Sequence, residues 1–226
     1  MRLIQSGKRV IRGFTLVEML IVLSIIALLA GLTMGGYTYA MRSSKRRLTT
    51  GTFEAVKSAL ENYRTEFGEY PEPATEGTKV EFLPNKAYDI SGAACLYQAL
   101  SGDGFDQIKG VTAGDSQTSG TSDGKTEGEE IKNITLKEMP QTMWRRMGQS
   151  FVLVDGFGRP FQYIKAAAIT PTGGGASGGG SNSSQPTTIN STYDLWSYAE
   201  DEVNISKRST DTLENQQLSQ KWIKNW

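Results

Sequence analysis

The 226-residue chain contains no histidine and a single cysteine, Cys95. Without imidazole there is no Ser-His or Cys-His nucleophile pair and no histidine-based zinc site. One cysteine excludes an intrachain disulfide and any CxxC redox or zinc-ribbon site. The 24 basic side chains equal the 24 acidic ones, so the chain has no overall basic footprint for nucleic acid. Phosphate-cradling GxxxxGK[ST] and GxGxxG runs are missing, and no spacing ties any two carboxylates into an acid-base pair. These exclusions point to a non-enzymatic protein with no nucleic-acid partner.

What is present is distributed unevenly. The mean hydropathy of −0.38 suits a soluble protein, yet it averages two opposed regions. Residues 1–13 carry Arg2, Lys8, Arg9 and Arg12 and no acid. With those four set aside, 20 basic residues remain against 24 acidic, about −4 for the rest of the chain. From Phe14 to Gly36 the chain is nearly all apolar, and Glu18 is its only charge. As a helix this segment spans ~35 Å, enough to cross a bilayer. A carboxylate in such a segment is costly and marks a functional site. Cleavage after Gly13 would place a new α-amine one helical turn from Glu18, where it could supply the missing positive charge. A second basic group, Arg42, Lys45, Arg46 and Arg47, follows the apolar run and suits lipid headgroups or neighbouring subunits. Because it equals the leader in charge, the positive-inside rule leaves orientation open.

Helical periodicity continues past the apolar run. Phe53, Val56, Leu60, Tyr63 and Phe67 recur at spacings of three and four, which draws one apolar stripe. Gly68 and Pro71 end the pattern. The spacing predicts one helix from about Phe14 to Phe67, apolar all round in its first half and amphipathic in its second. Ile90 to Leu100 reads as a short helix ended by Gly102. Residues 151–154 and 161–164 read as strands joined in a hairpin by the turn 155–160, and residues 193–198 as a third strand. Polar, Gly/Ser-rich flexible insertions are expected near 101–130 and 166–190, the first rich in acids including Asp103.

Gly13-Phe14-Thr15-Leu16-Val17-Glu18 behind a short basic leader resembles the class III signal of type IV pilins and type II secretion pseudopilins. The resemblance implies a prepilin peptidase that cuts between Gly13 and Phe14 and N-methylates Phe14. It also implies that Glu18 pairs with the N-terminus of an adjacent subunit as a helical filament grows. The run Tyr63-Arg64 to Gly68-Glu69-Tyr70-Pro71, the turn Asp155 to Tyr163, Tyr193-Asp-Leu-Trp-Ser-Tyr198 and the ending Ile223 to Trp226 resemble the major, G-type pseudopilin. Gly156 and Phe157 stand where that pattern has Pro and Trp.

The implied fold is α+β, with a long N-terminal α-helix packed on a small antiparallel β-sheet, pilin-like. The implied organisation is a leader peptide at 1–13, a transmembrane and filament-core helix at 14–40, an amphipathic extension at 41–68, and a periplasmic domain at 69–226. The implied setting is the inner membrane, single-pass. The implied partners are further copies of the chain, the prepilin peptidase/methyltransferase, other pseudopilins, the inner-membrane secretion platform and membrane lipid. The implied role is a subunit of a type II secretion pseudopilus that drives protein export across the outer membrane. The alternatives are a type IV pilin for adhesion, motility or DNA uptake, and a membrane-anchored enzyme or sensor. G-type pseudopilins commonly bind a structural calcium in the loop after the third strand, which makes Asp194 and Asp201 the candidate ligands. Here that loop reads Ala199-Glu200-Asp201-Glu202 in place of glycines, and Trp222 stands where an acid is expected. The other role for this stretch is an acidic turn covered by Trp196, Trp222 and Trp226.

Overall fold

The computed structural model describes residues 13–73, 78–103, 139–167 and 188–226. The leader up to Arg12 and most of both expected insertions (104–138 and 168–187) lie outside the described residues. The fold is α+β: a long N-terminal helix followed by small antiparallel sheets. The chain divides into two compact units, Met1–Ser43 and Ser44–Trp226.

Helix α1 covers Leu16–Phe67. In the first unit every side chain from residue 14 to residue 42 is exposed, among them Leu16, Val17, Leu20, Leu28 and Met34. A helix apolar on all sides has no preferred face to bury within its own chain. The hydroxyls of Ser24, Thr33 and Thr38 donate to the carbonyls of Ile21, Ala30 and Gly35, three residues back. These internal bonds satisfy the three hydroxyls without water, as an apolar surrounding requires.

In the second unit the predicted stripe becomes the core. Phe53, Val56, Ala59, Leu60 and Tyr63 are at most 3 % exposed. Burial of each large apolar side chain contributes about 1.5–3 kcal/mol. They pack with Cys95, Leu96 and Leu100 of α2 (Ser91–Ser101), with Leu153 and with Phe161, Tyr163 and Leu195. Burial pushes the Cys95 thiol well above its ordinary pKa, so it behaves as a small apolar core residue. Gly68 closes α1 with φ of +80°, its N–H donating to Arg64 at 2.8 Å, a left-handed cap that favours glycine. Beyond it Tyr70 turns back onto the helix: its hydroxyl donates to Glu61 at 3.0 Å and its ring stacks edge-on against Tyr193. The Tyr163 hydroxyl then donates to the Pro71 carbonyl at 2.7 Å, which ties the helix exit to the sheet.

Seven strands form three antiparallel sheets among the described residues. β1 (Lys79–Leu83) pairs with β2 (Lys86–Asp89), and β3 (Trp144–Met147) with β4 (Ser150–Leu153). The third sheet has the order β5 (Gln162–Lys165), β6 (Tyr193–Ser197), β7 (Ile223–Lys224). A short α3 (Asp211–Glu214) and a 3₁₀ turn (Gln216–Ser219) precede β7. All five residues of β6 are buried, which fits the central strand of that sheet.

Two expectations change. The segments 151–154 and 161–164 do not form a hairpin of their own. One bridge joins Val154 to Pro160, after which β4 pairs with β3 and β5 with β6. The turn 155–160 therefore links two sheets. Asp103, expected in a polar surface insertion, is 2 % exposed and accepts a hydrogen bond from the Tyr97 hydroxyl at 2.9 Å. It packs against the end of α2, and the rest of that expected insertion lies outside the described residues.

Candidate functional site

The residues of the expected processing and assembly site lie together at the start of α1. Gly13, Phe14 and Thr15 precede the helix in non-helical backbone, and all three are exposed. Among the described residues nothing lies within 4 Å of a Cβ built on Gly13, so they leave the Gly13–Phe14 bond sterically open on that side. Phe14 leaves 78 % of its surface uncovered.

Thr15 and Glu18 form a capping box, in which each side chain satisfies the other residue's free N–H. Glu18 Oε2 accepts from the Thr15 N–H and from the Thr15 hydroxyl, both at 2.9 Å. The Glu18 N–H donates to Thr15 Oγ1 at 3.2 Å. The acid also sits in the first turn, where the helix dipole favours negative charge. Glu18 has no cationic partner among the described residues; its one charge is held by neutral donors. The spacing Thr15-x-x-Glu18 is a readable capping signature, and it gives Thr15 a role that reading Glu18 alone does not supply.

The basic group after the apolar run divides in function. Arg46 Nη1 lies 2.7 and 2.8 Å from the two carboxylate oxygens of Glu200 and also donates to the Lys221 carbonyl. Lys45 lies over the Phe157 ring at 5.9 Å. Both act within the domain. Arg42 and Arg47 are exposed.

The turn 155–160 docks on α1 directly beside that group. Asp155 is buried and organises the turn: Oδ1 accepts from the N–H groups of Phe157 and Arg159 at 2.8 and 2.9 Å, and Oδ2 from the Ser197 hydroxyl at 2.6 Å. Burial pushes its carboxyl above the usual range, against the hydrogen bonds and the Arg159 charge. The Gly156 N–H donates to Thr49 Oγ1 at 3.0 Å. A Cβ on Gly156 would overlap the Lys45 carbonyl oxygen, so glycine is what lets the turn meet the helix backbone.

Asp194 and Asp201, the candidate calcium ligands, are both buried. Asp194 accepts the N–H groups of Ile189 and Asn190 at 2.6 and 2.9 Å. Asp201 accepts four donors, the N–H groups of Val203 and Asn204, the Asn204 amide and the Trp222 indole N–H. Calcium needs six to eight oxygens with lone pairs free to face it. The two carboxylates instead face N–H groups, and no cluster of three His, Cys, Asp or Glu suited to a metal exists among the described residues. The donor set does not fit calcium. Trp196 and Trp222 stack with centroids 6.2 Å apart, and Trp226 meets Trp196 edge-on at 5.7 Å. Trp222 meets the acidic turn through its indole N–H on Asp201, while Glu202 stays exposed.

Residues 8–34 match the prokaryotic N-terminal methylation motif. The chain carries the class signal of type IV pilins and pseudopilins. The match spans the end of the basic leader, the Gly13–Phe14 junction, the capping box and most of the exposed apolar helix. Comparison with curated proteins and with solved structures returned no match.

The motif indicates a prepilin-like subunit of a pilus or pseudopilus. It implies processing by a prepilin peptidase and assembly into pilus-like filaments. Such subunits are structural and typically not enzymes. The apolar helix is consistent with membrane anchoring.

Proposed function

We propose that this prepilin-like chain is cut between Gly13 and Phe14, N-methylated on Phe14, and built through Glu18 into a type II secretion pseudopilus as a G-type subunit. One observation carries the reading: the methylation motif coincides with the largely apolar first half of α1, which is exposed on every side from residue 16 to residue 42. Such a surface is not left in water; lipid covers it before assembly and neighbouring helices cover it afterwards.

In this reading the N-terminus starts on the cytoplasmic side of the inner membrane and the domain from residue 69 onward is periplasmic. Glu18 enters the membrane with its charge held by Thr15. The α-amine of a neighbouring subunit's processed terminus is a better partner than two neutral donors, because opposite charges attract strongly in a low-dielectric surrounding. Exchange of the internal bonds for that ion pair sets each new subunit in register, and helix packing then extracts it from the bilayer. The G-type assignment is supported by four resemblances that lie on structural joints. These are the helix exit at Gly68–Pro71, the turn 155–160, the central strand β6 and the closing strand β7.

The test is assembly in cells that hold a prepilin peptidase and a type II secretion platform. The natural chain should give sheared fibres and export of a secreted enzyme, whereas Glu18→Gln should be cleaved normally and lose both. Fibres and export at the natural level with Glu18→Gln contradict the assembly role. Loss of twitching or DNA uptake on deletion, with export intact, assigns the chain to a type IV pilus instead.

A further inference from the structure

We propose that the Arg159 guanidinium is the resident cation of the loop after β6, so that the acidic turn Glu200-Asp201-Glu202 is held by the chain's own charges and needs no metal ion.

The acidic turn puts three carboxylates in consecutive positions, with Asp201 buried between the more exposed Glu200 and Glu202, and it turns the Ala199 and Asp201 carbonyls onto one buried side chain, where unpaired oxygens would be costly. Arg159 is 6 % exposed. Its Nη1 donates to the Ala199 carbonyl and, at 2.8 Å, to the Asp201 carbonyl. Its Nη2 donates to Glu202 at 2.9 Å. One planar fork thus gathers two backbone oxygens and one carboxylate, oxygen chemistry of the kind a hard cation also seeks. Ala199 adopts φ of +49°, a left-handed conformation unusual for alanine, and its carbonyl is one of the two on Arg159.

The remaining charges are matched from other elements. Glu200 takes Arg46 of α1, and Glu202 takes Lys86 of β2 at 3.2 Å as well as Arg159. Asp201 spends its oxygens on the N–H donors of Val203, Asn204 and Trp222. Arg159 is placed by Asp155, whose Oδ1 accepts the Arg159 N–H. The turn 155–160 therefore delivers the cation that the loop after β6 closes upon. A guanidinium does this at every calcium concentration and stays charged at every physiological pH.

The experiment follows thermal unfolding of the full chain in detergent micelles. Near-ultraviolet circular dichroism reads the Trp196–Trp222 stack beside Asp201. The natural chain should melt at the same temperature in excess EGTA and in millimolar CaCl2. Arg159→Gln keeps hydrogen-bonding capacity but loses the charge and the fork; it should lower Tm by roughly 10 °C, with no recovery on adding calcium. A Tm that falls in EGTA, or rises with calcium, for the natural chain overturns the proposal. So does an Arg159→Gln chain that melts like the natural one. If Arg159→Gln yields no folded protein, the EGTA and calcium comparison on the natural chain decides alone. None of these outcomes depends on whether the chain builds a pilus or a pseudopilus.

Discussion

The hydroxyl and the backbone N–H of Thr15 both lie 2.9 Å from one oxygen of Glu18, so the single acid of the apolar helix is held by its own first turn. Loss of that contact should be felt locally. In Thr15→Ala the amide of Glu18 loses its acceptor and the Glu18 carboxylate loses one of its two donors. Hydrogen exchange of the Glu18 amide in micelles should quicken by roughly fivefold, the scale of a lost N-cap. Unchanged exchange would show that the capping box does not hold in the membrane.

Gly156 sets how closely the turn 155–160 approaches α1. Gly156→Ala places a methyl group against the Lys45 carbonyl, a backbone atom that cannot swing aside. The expected cost is about 1–3 kcal/mol, read as a fall in Tm of ~2–4 °C per kcal/mol. Gly13→Ala meets nothing and should leave the same Tm untouched.

Acid should loosen the loop after β6. The hydrogen bond from Lys86, then the charges of Lys86 and Arg159, hold the Glu202 carboxyl below its ordinary range. At Asp201 burial works upward, but hydrogen bonds from Asn204, Val203 and Trp222 bring it below the usual value. A depressed folded pKa contributes stability that is present above the unfolded value and is lost as pH falls through the folded one. Asp155 has the opposite sign, since burial raises it, and so relieves part of the loss. Stability should therefore decline below about pH 4, with a shallower decline in Glu202→Gln. A pH series of denaturant melts with identical slopes for the two chains would contradict the Glu202 contribution.

The parts of the fold legible in sequence were those governed by short periods. The stripe from Phe53 to Phe67 repeats with the helix; Phe53, Val56, Leu60 and Tyr63 are buried and Phe67 is half-buried against that core. Gly68 and Gly102 end their helices in left-handed conformations where glycine was expected to stop them. Strand partners were not legible, because pairing is decided between segments far apart in the chain. Residues 151–154 and 161–164 flank a real turn yet pair elsewhere. The hairpin β1–β2 did carry a local signal, Pro84-Asn85 between alternating segments, and Asn85 takes the positive φ of 61° that such a turn demands. At the candidate site, Glu18 stood out as the lone acid in an apolar run, and Gly13 and Phe14 through the resemblance to the class III signal. Arg159 did not, since its worth depends on carbonyls some 40 residues away.

The most direct test of the central claim is the mass of the mature N-terminus in cells that contain a prepilin peptidase. The chain should begin at Phe14 and carry one added methyl group on its α-amine. A chain that retains Met1 and the whole leader in those cells would contradict it.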